Sequence, residues 1–149
     1  MGQVSWHSRV TMTLLPRNQG PPDILVAESD EALRTEMCRA LLEAGYRVRH
    51  AITPRQALQC LAARPADVLI TAIMMSDGDG YELITAAKRE DAARRILAIS
   101  GRGVLGDFDL LRIADLMGAD ATLAKPFAIN QLLARVAELV DRPATCPLR

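Results

Sequence analysis

Between Asp23 and Val140 the chain alternates short unbroken apolar runs with longer stretches in which apolar residues recur every three or four positions. The first pattern is that of strands buried on both faces, the second that of amphipathic helices. The most apolar run, Asp67-Val68-Leu69-Ile70-Thr71-Ala72-Ile73-Met74-Met75, is closed by the turn-rich Ser76-Asp77-Gly78-Asp79-Gly80. It has no polar alternation, which predicts a central strand of a parallel sheet with Ala72 at its carboxyl end.

The other elements follow in order. Ile24 to Ala27 predicts a short buried strand, with Glu28-Ser29-Asp30 as a polar lip and Asp30 as the cap of a helix. That helix keeps Leu33, Met37, Ala40, Leu41 and Ala44 on one face and stops at Gly45 in a left-handed cap. Tyr46 to Ala51 is a second strand, placed at a sheet edge by Arg47, Arg49 and His50. Thr53-Pro54-Arg55-Gln56 combines a capping residue, a first-turn proline and a glutamine three residues after the cap, a strong helix start; this helix ends before Pro65. A third helix begins near Gly80, a fourth strand is Ile96 to Ser100, and a fourth helix spans roughly 109–117 and stops at Gly118. The fifth strand is Ala121 to Ala124, and the last helix carries Ile129, Leu132, Leu133, Val136, Leu139 and Val140.

Five strand-helix units in strict order, joined by right-handed crossovers, predict an α/β fold: a five-stranded, doubly wound parallel sheet with helices on both faces. In such sheets chemistry sits outside the carboxyl ends of the strands. Glu28, Ser29, Ala72, Ser100 and Lys125 are the residues that this topology gathers there.

Composition narrows the use of that crevice. The 149 residues are half hydrophobic, carry no net charge and are only 3% aromatic, which gives no basic surface for nucleic acid and no stacking platform for single strands. A protein-facing or small-ligand-facing domain is expected. Cys38, Cys60 and Cys146 are odd in number and contain no CxxC, which fits a reducing cytoplasm. Residues 1–22 predict a flexible N-terminal tail. Val10 to Leu15 is too short for a signal or membrane segment, Met12 is an alternative start, and Trp6 has no structural role. Residues 23–140 form the domain, and 141–149 a C-terminal tail too short to fold alone, so a single-domain protein is expected.

The strand-one lip, the segment DVLITAIMMSDGDGYEL, ILAISG with Ser100, and GADATLAKPF with Lys125-Pro126 occur in order at compatible spacing. Together they resemble the response-regulator receiver domain of the chemotaxis-regulator type, over about residues 23–140. The resemblance implies a flavodoxin-like fold, a place in two-component phosphorelay signalling, and Mg²⁺ held by an acidic pair after strand one together with an aspartate ending strand three. That aspartate would also take a phosphoryl group from a partner histidine. Here the acidic pair is Glu28 and Ser29, and the acceptor position is Ala72. One of three expected carboxylates remains, so the Mg²⁺ site is expected to be lost, and a methyl side chain cannot form an acyl phosphate. Ser100 and Lys125 match the hydroxyl and lysine that contact the phosphoryl group, while the aromatic switch position holds Thr122. The resemblance thus points to a degenerate receiver: not an enzyme, without a cofactor, acting by protein contact.

Its expected partners are a histidine kinase, a phosphotransferase or another regulator, or a second copy through the face of the fourth helix, fifth strand and fifth helix, with neither nucleic acid nor membrane involved. The loop after Ser100 runs about three residues longer than in most receivers, and its Val104, Leu105 and Phe108 either fold over the core or form a partner patch beside that face. Two alternatives stand: a receiver phosphorylated on a substitute carboxylate such as Asp77, and a small nucleotide-binding or hydrolytic domain on the same fold. Gly101 to Gly106 spells GxGxxG, but it follows the fourth strand, and the next strand ends in Lys125 where a ribose-binding acid is expected. Asp77 and Asp79 otherwise read as turn residues, Asp79 with Gly80 serving the entry of the third helix, and His7 and His50 as solvated imidazoles. Finally, Lys125 without an aspartate at position 72 needs a new partner, and Glu28 has the reach; a direct Glu28–Lys125 ion pair across the strand ends is predicted.

Overall fold

The computed structural model describes residues 20–101, 104–105 and 108–141, with backbone alone at 104–105, 108–111 and 116. Five strands make one sheet: β1 (Asp23–Ala27), β2 (Arg47–Ala51), β3 (Ala66–Ala72), β4 (Ala93–Ser100) and β5 (Ala121–Ala124). They lie in the order β2-β1-β3-β4-β5, and every pairing is parallel. The helices are α1 (Glu31–Glu43), α2 (Pro54–Ala63), α3 (Gly80–Arg89), α4 (Leu110–Leu116) and α5 (Ile129–Asp141).

Alternate residues of the inner strands enter two separate cores. Ile24, Val26, Val68, Ile70, Leu97 and Ile99 pack with Met37 and Leu41 of α1 and with Leu132, Val136 and Leu139 of α5. Leu25, Leu69, Ile96 and Ala98 pack on the other side with Ala57 and Leu61 of α2 and with Leu83 and Ile84 of α3. Val68 to Ala72 are therefore buried whichever face they point to, which is why this part of β3 shows no apolar–polar alternation.

Helix ends follow the local chemistry. Asp30 caps α1, accepting from Leu33 N, and Gly45 beyond its end has φ +100°. Thr53 accepts from Gln56 N while Gln56 Oε1 accepts from Ile52 N at 2.7 Å, a reciprocal cap on α2. The edge position expected for the second strand holds. Its Arg49 has a job that composition does not show: it pairs with the buried Asp23 at 2.9 Å and donates to the carbonyls of Cys60 and Arg64 at the end of α2.

Several expectations are corrected in detail. The central strand ends at Ala72 as expected, but Met74–Met75, read within the same apolar run, pairs antiparallel with Gly78–Asp79. β4 begins three residues earlier than expected, because Ala93 and Arg95 continue the register with β3. Val104–Leu105 and Phe108–Asp109 form a second two-residue hairpin within what read as a plain loop. Ala44, assigned to the inner face of the first helix, is exposed, and Ala40 only half-buried. The tail expected over 1–22 lies outside the described residues as far as residue 19, as do Trp6, His7, Cys146 and the C-terminal tail beyond 141. No described helix is long and apolar enough to cross a membrane.

Candidate functional site

The parallel order brings the carboxyl ends of β1, β3, β4 and β5 to one end of the sheet, and Glu28, Ala72, Ser100 and Lys125 stand there in that order. Lys125 Nζ lies 2.9 Å from Glu28 Oε1; the Glu28 side chain is 2% exposed and that of Lys125 23%. Neighbouring strands are about 4.8 Å apart, so residues on β1 and β5 are separated by about 14 Å and the pair has to pass over the ends of β3 and β4. The stem of Lys125 runs beside Gly101, whose added Cβ would touch its Cδ at 3.8 Å. The predicted ion pair is present, lying across the crevice above Ala72 and Ser100.

Both oxygens of Glu28 are engaged, since Oε2 accepts from Asp30 N at 2.9 Å. The carboxylate of Asp30 is turned away to cap α1. Ser29 is half-buried, and Arg34 Nη1 donates to the carbonyls of Glu28 and Ser29 at 3.0 and 3.4 Å. This role of Arg34 was not visible in the sequence, where one arginine in an amphipathic helix looks like surface; the only signal was its place one turn into the helix that follows the lip.

Ala72 is 1% exposed and its methyl belongs to the core shared with α1 and α5. The backbone around it is closely packed: Thr71 Oγ1 donates to the Ala72 carbonyl at 2.9 Å, Gly80 N donates to the Ile73 carbonyl at 2.7 Å, and a Cβ at Gly80 would run into the Ala72 carbonyl oxygen. Ser100 is 2% exposed, and its hydroxyl has no hydrogen-bond partner among the described residues. A buried hydroxyl without a partner costs about 1–3 kcal/mol. Thr122 is half-buried, opposite Ala98.

The other candidates are not part of this group. Asp79 accepts from Tyr81 N and Glu82 N as the cap of α3, and Asp77 is exposed in the turn between the two short strands. Cys38 is half-buried, and burial pushes its thiol up, away from the reactive thiolate. The side chains of Val104, Leu105 and Phe108 lie outside the described residues, and so does the choice between core cover and partner patch. Among the described residues, no three His, Cys, Asp or Glu side chains gather as metal ligands. The strand ends offer one carboxylate, already committed to an ammonium and a backbone amide, and this donor set does not fit Mg²⁺, which requires several hard oxygens in octahedral array.

A family model described as the response regulator receiver domain matches residues 24–137. The chain is 35% identical over 123 residues to the response regulator MprA of Mycolicibacterium vanbaalenii, covering 82% of this chain and 52% of that protein. It is also 35% identical over 120 residues to MprA of Mycobacterium ulcerans, covering 80% and 50%. The chain thus spans about half the length of these curated relatives. Among solved structures, the receiver domain of the Francisella response regulator 1452 superposes with a TM-score of 0.72 at 26% identity, over 81% of this chain and 98% of that one. A response regulator receiver domain protein from Methanospirillum hungatei gives 0.73 at 25%, over 82% and 95%.

Proposed function

The chain belongs to the response regulator receiver family, and from that premise we propose that it is an atypical receiver that is not phosphorylated at the usual position and signals through protein contact. The single observation that carries this reading is the Glu28–Lys125 pair, which spans the crevice above an alanine where the family places its acceptor aspartate.

Phosphoryl transfer to a receiver needs a nucleophilic oxygen, a cation to gather charge on the transferring group, and a donor to hold it. Position 72 supplies a methyl group. The one carboxylate that remains, Glu28, is turned towards Lys125. That ion pair does for the fold part of what metal and phosphoryl group do elsewhere in the family: it gives the lysine a counter-charge and ties the lip after β1 to the turn after β5. The crevice is held by the chain's own charges, so the surface around it has one form to present to a partner, such as a histidine kinase, a phosphotransferase or another regulator.

Restoring the missing groups in steps tests this. Ala72→Asp alone is expected to recover little Mg²⁺ binding or labelling by acetyl phosphate, because the second acid is still absent. Ala72→Asp with Ser29→Asp should recover metal binding, read by titration calorimetry. Equal metal binding by the single and double variants would overturn the ligand-count argument.

A further inference from the structure

Away from the strand ends, a groove of about 500 Å³ runs along the open side of the sheet, between α1 and β2. β2 is an edge strand and, among the described residues, pairs only with β1. The wall on the helix side comes from positions 35, 38, 39 and 42, one stripe at helical spacing about two turns long, or roughly 12 Å. Val48 and His50, two residues apart and so on one face of β2, form the other wall.

The chemistry of this groove is one-sided. Its apolar part is Val48, the half-buried Cys38 and Leu42, a leucine left 57% exposed. Its polar rim is Arg34, Arg39 and His50, with no carboxylate in the lining. Arg39 and His50 have no hydrogen-bond or ion-pair partner among the described residues. Arg34 is already half used, because it reaches from the groove to the carbonyls of Glu28 and Ser29. An occupant of the groove would therefore touch the residue that holds the lip of the crevice.

We infer that the α1–β2 groove is a docking surface for an acidic amphipathic helix of a protein partner, with an apolar side chain of that helix against Leu42 and Val48 and its carboxylates against Arg39 and His50. The inference rests on the reading that this receiver works by protein contact, and it names the surface. Two helical turns of a partner match the length of the stripe, and a rim of two arginines and an imidazole, with no carboxylate, selects carboxylates and rejects a basic segment.

The test is site-specific photo-crosslinking in the native cell, with a benzoylphenylalanine at Thr35 inside the groove and, separately, at the exposed Arg135 of α5 as a reference. Expected is a Thr35 adduct whose partner peptide, mapped by mass spectrometry, is rich in Asp and Glu with apolar residues at helical spacing. The adduct should fall at least about tenfold on adding Arg39→Glu or Leu42→Glu, the effect of losing one interface anchor. Both changes are at exposed helical positions that tolerate glutamate, and unaltered thermal melts would show that the fold is intact. A Thr35 adduct to a non-acidic peptide or to a second copy of this chain, or one insensitive to both substitutions, overturns the inference. Adducts from position 135 alone overturn the groove and leave the protein-contact reading standing, whereas no adduct from either position contradicts both.

Discussion

Glu28 and Lys125 carry opposite charges into a place with little water, and each makes the other tolerable. Removing one member of such a pair leaves an uncompensated charge, at about 3–5 kcal/mol when both are buried; with 23% of the Lys125 side chain exposed, the lower end is expected here. Glu28→Gln and Lys125→Met should each destabilise; the first leaves an ammonium that is 23% exposed and can turn to water, the second a carboxylate that is 2% exposed with only the Asp30 amide as partner. In a urea-melt cycle the double variant should lose at least about 1 kcal/mol less than the sum of the two. Strict additivity would show that the two charges do not depend on each other. The pair was legible in the sequence once the receiver resemblance set Lys125 in the crevice without an aspartate at position 72, since the lysine then needs a partner and Glu28 on the strand-one lip has the reach. Arg34 was not legible, because its function lies in carbonyls that any residue types at 28 and 29 would supply.

At the scale of elements, the strand-helix alternation, the caps at Thr53 and Asp79 and the stops at Gly45 and Gly118 could all be read from the sequence, because each depends on residues within a turn of one another. The Ala72 end of β3 could be read as well, whereas the short hairpin after it and the start of β4 could not. The hairpin is closed by Gly80 N donating to the Ile73 carbonyl beside Ala72, and where β4 starts depends on register with β3. Both are contacts between separate segments. Gly80 is where these constraints meet, and it is glycine for want of room, since its φ is ordinary. Gly80→Ala should therefore destabilise by about 1–3 kcal/mol through forced movement of the α3 start, even though alanine is the better helix former. A thermal melt unchanged or raised in that variant would mean that the Ala72 carbonyl can yield.

Across the whole molecule, the fold was legible because both cores are written in one repeated pattern, and the receiver kinship because four separated motifs keep their order. What the sequence did not disclose was the groove beside β2, built from a helix stripe and a strand face whose proximity only the sheet order fixes. What we propose is chemical: that an internal ion pair stands in this receiver where phosphoryl transfer takes place in others. The most direct measurement is the intact mass of the purified chain after incubation with phosphoramidate or acetyl phosphate and Mg²⁺. The account predicts one species of unchanged mass. A second species, heavier by one phosphoryl group and labile to hydroxylamine as an acyl phosphate is, would contradict it; disappearance of that species in an Asp77→Asn variant would place the phosphoryl group on the substitute carboxylate.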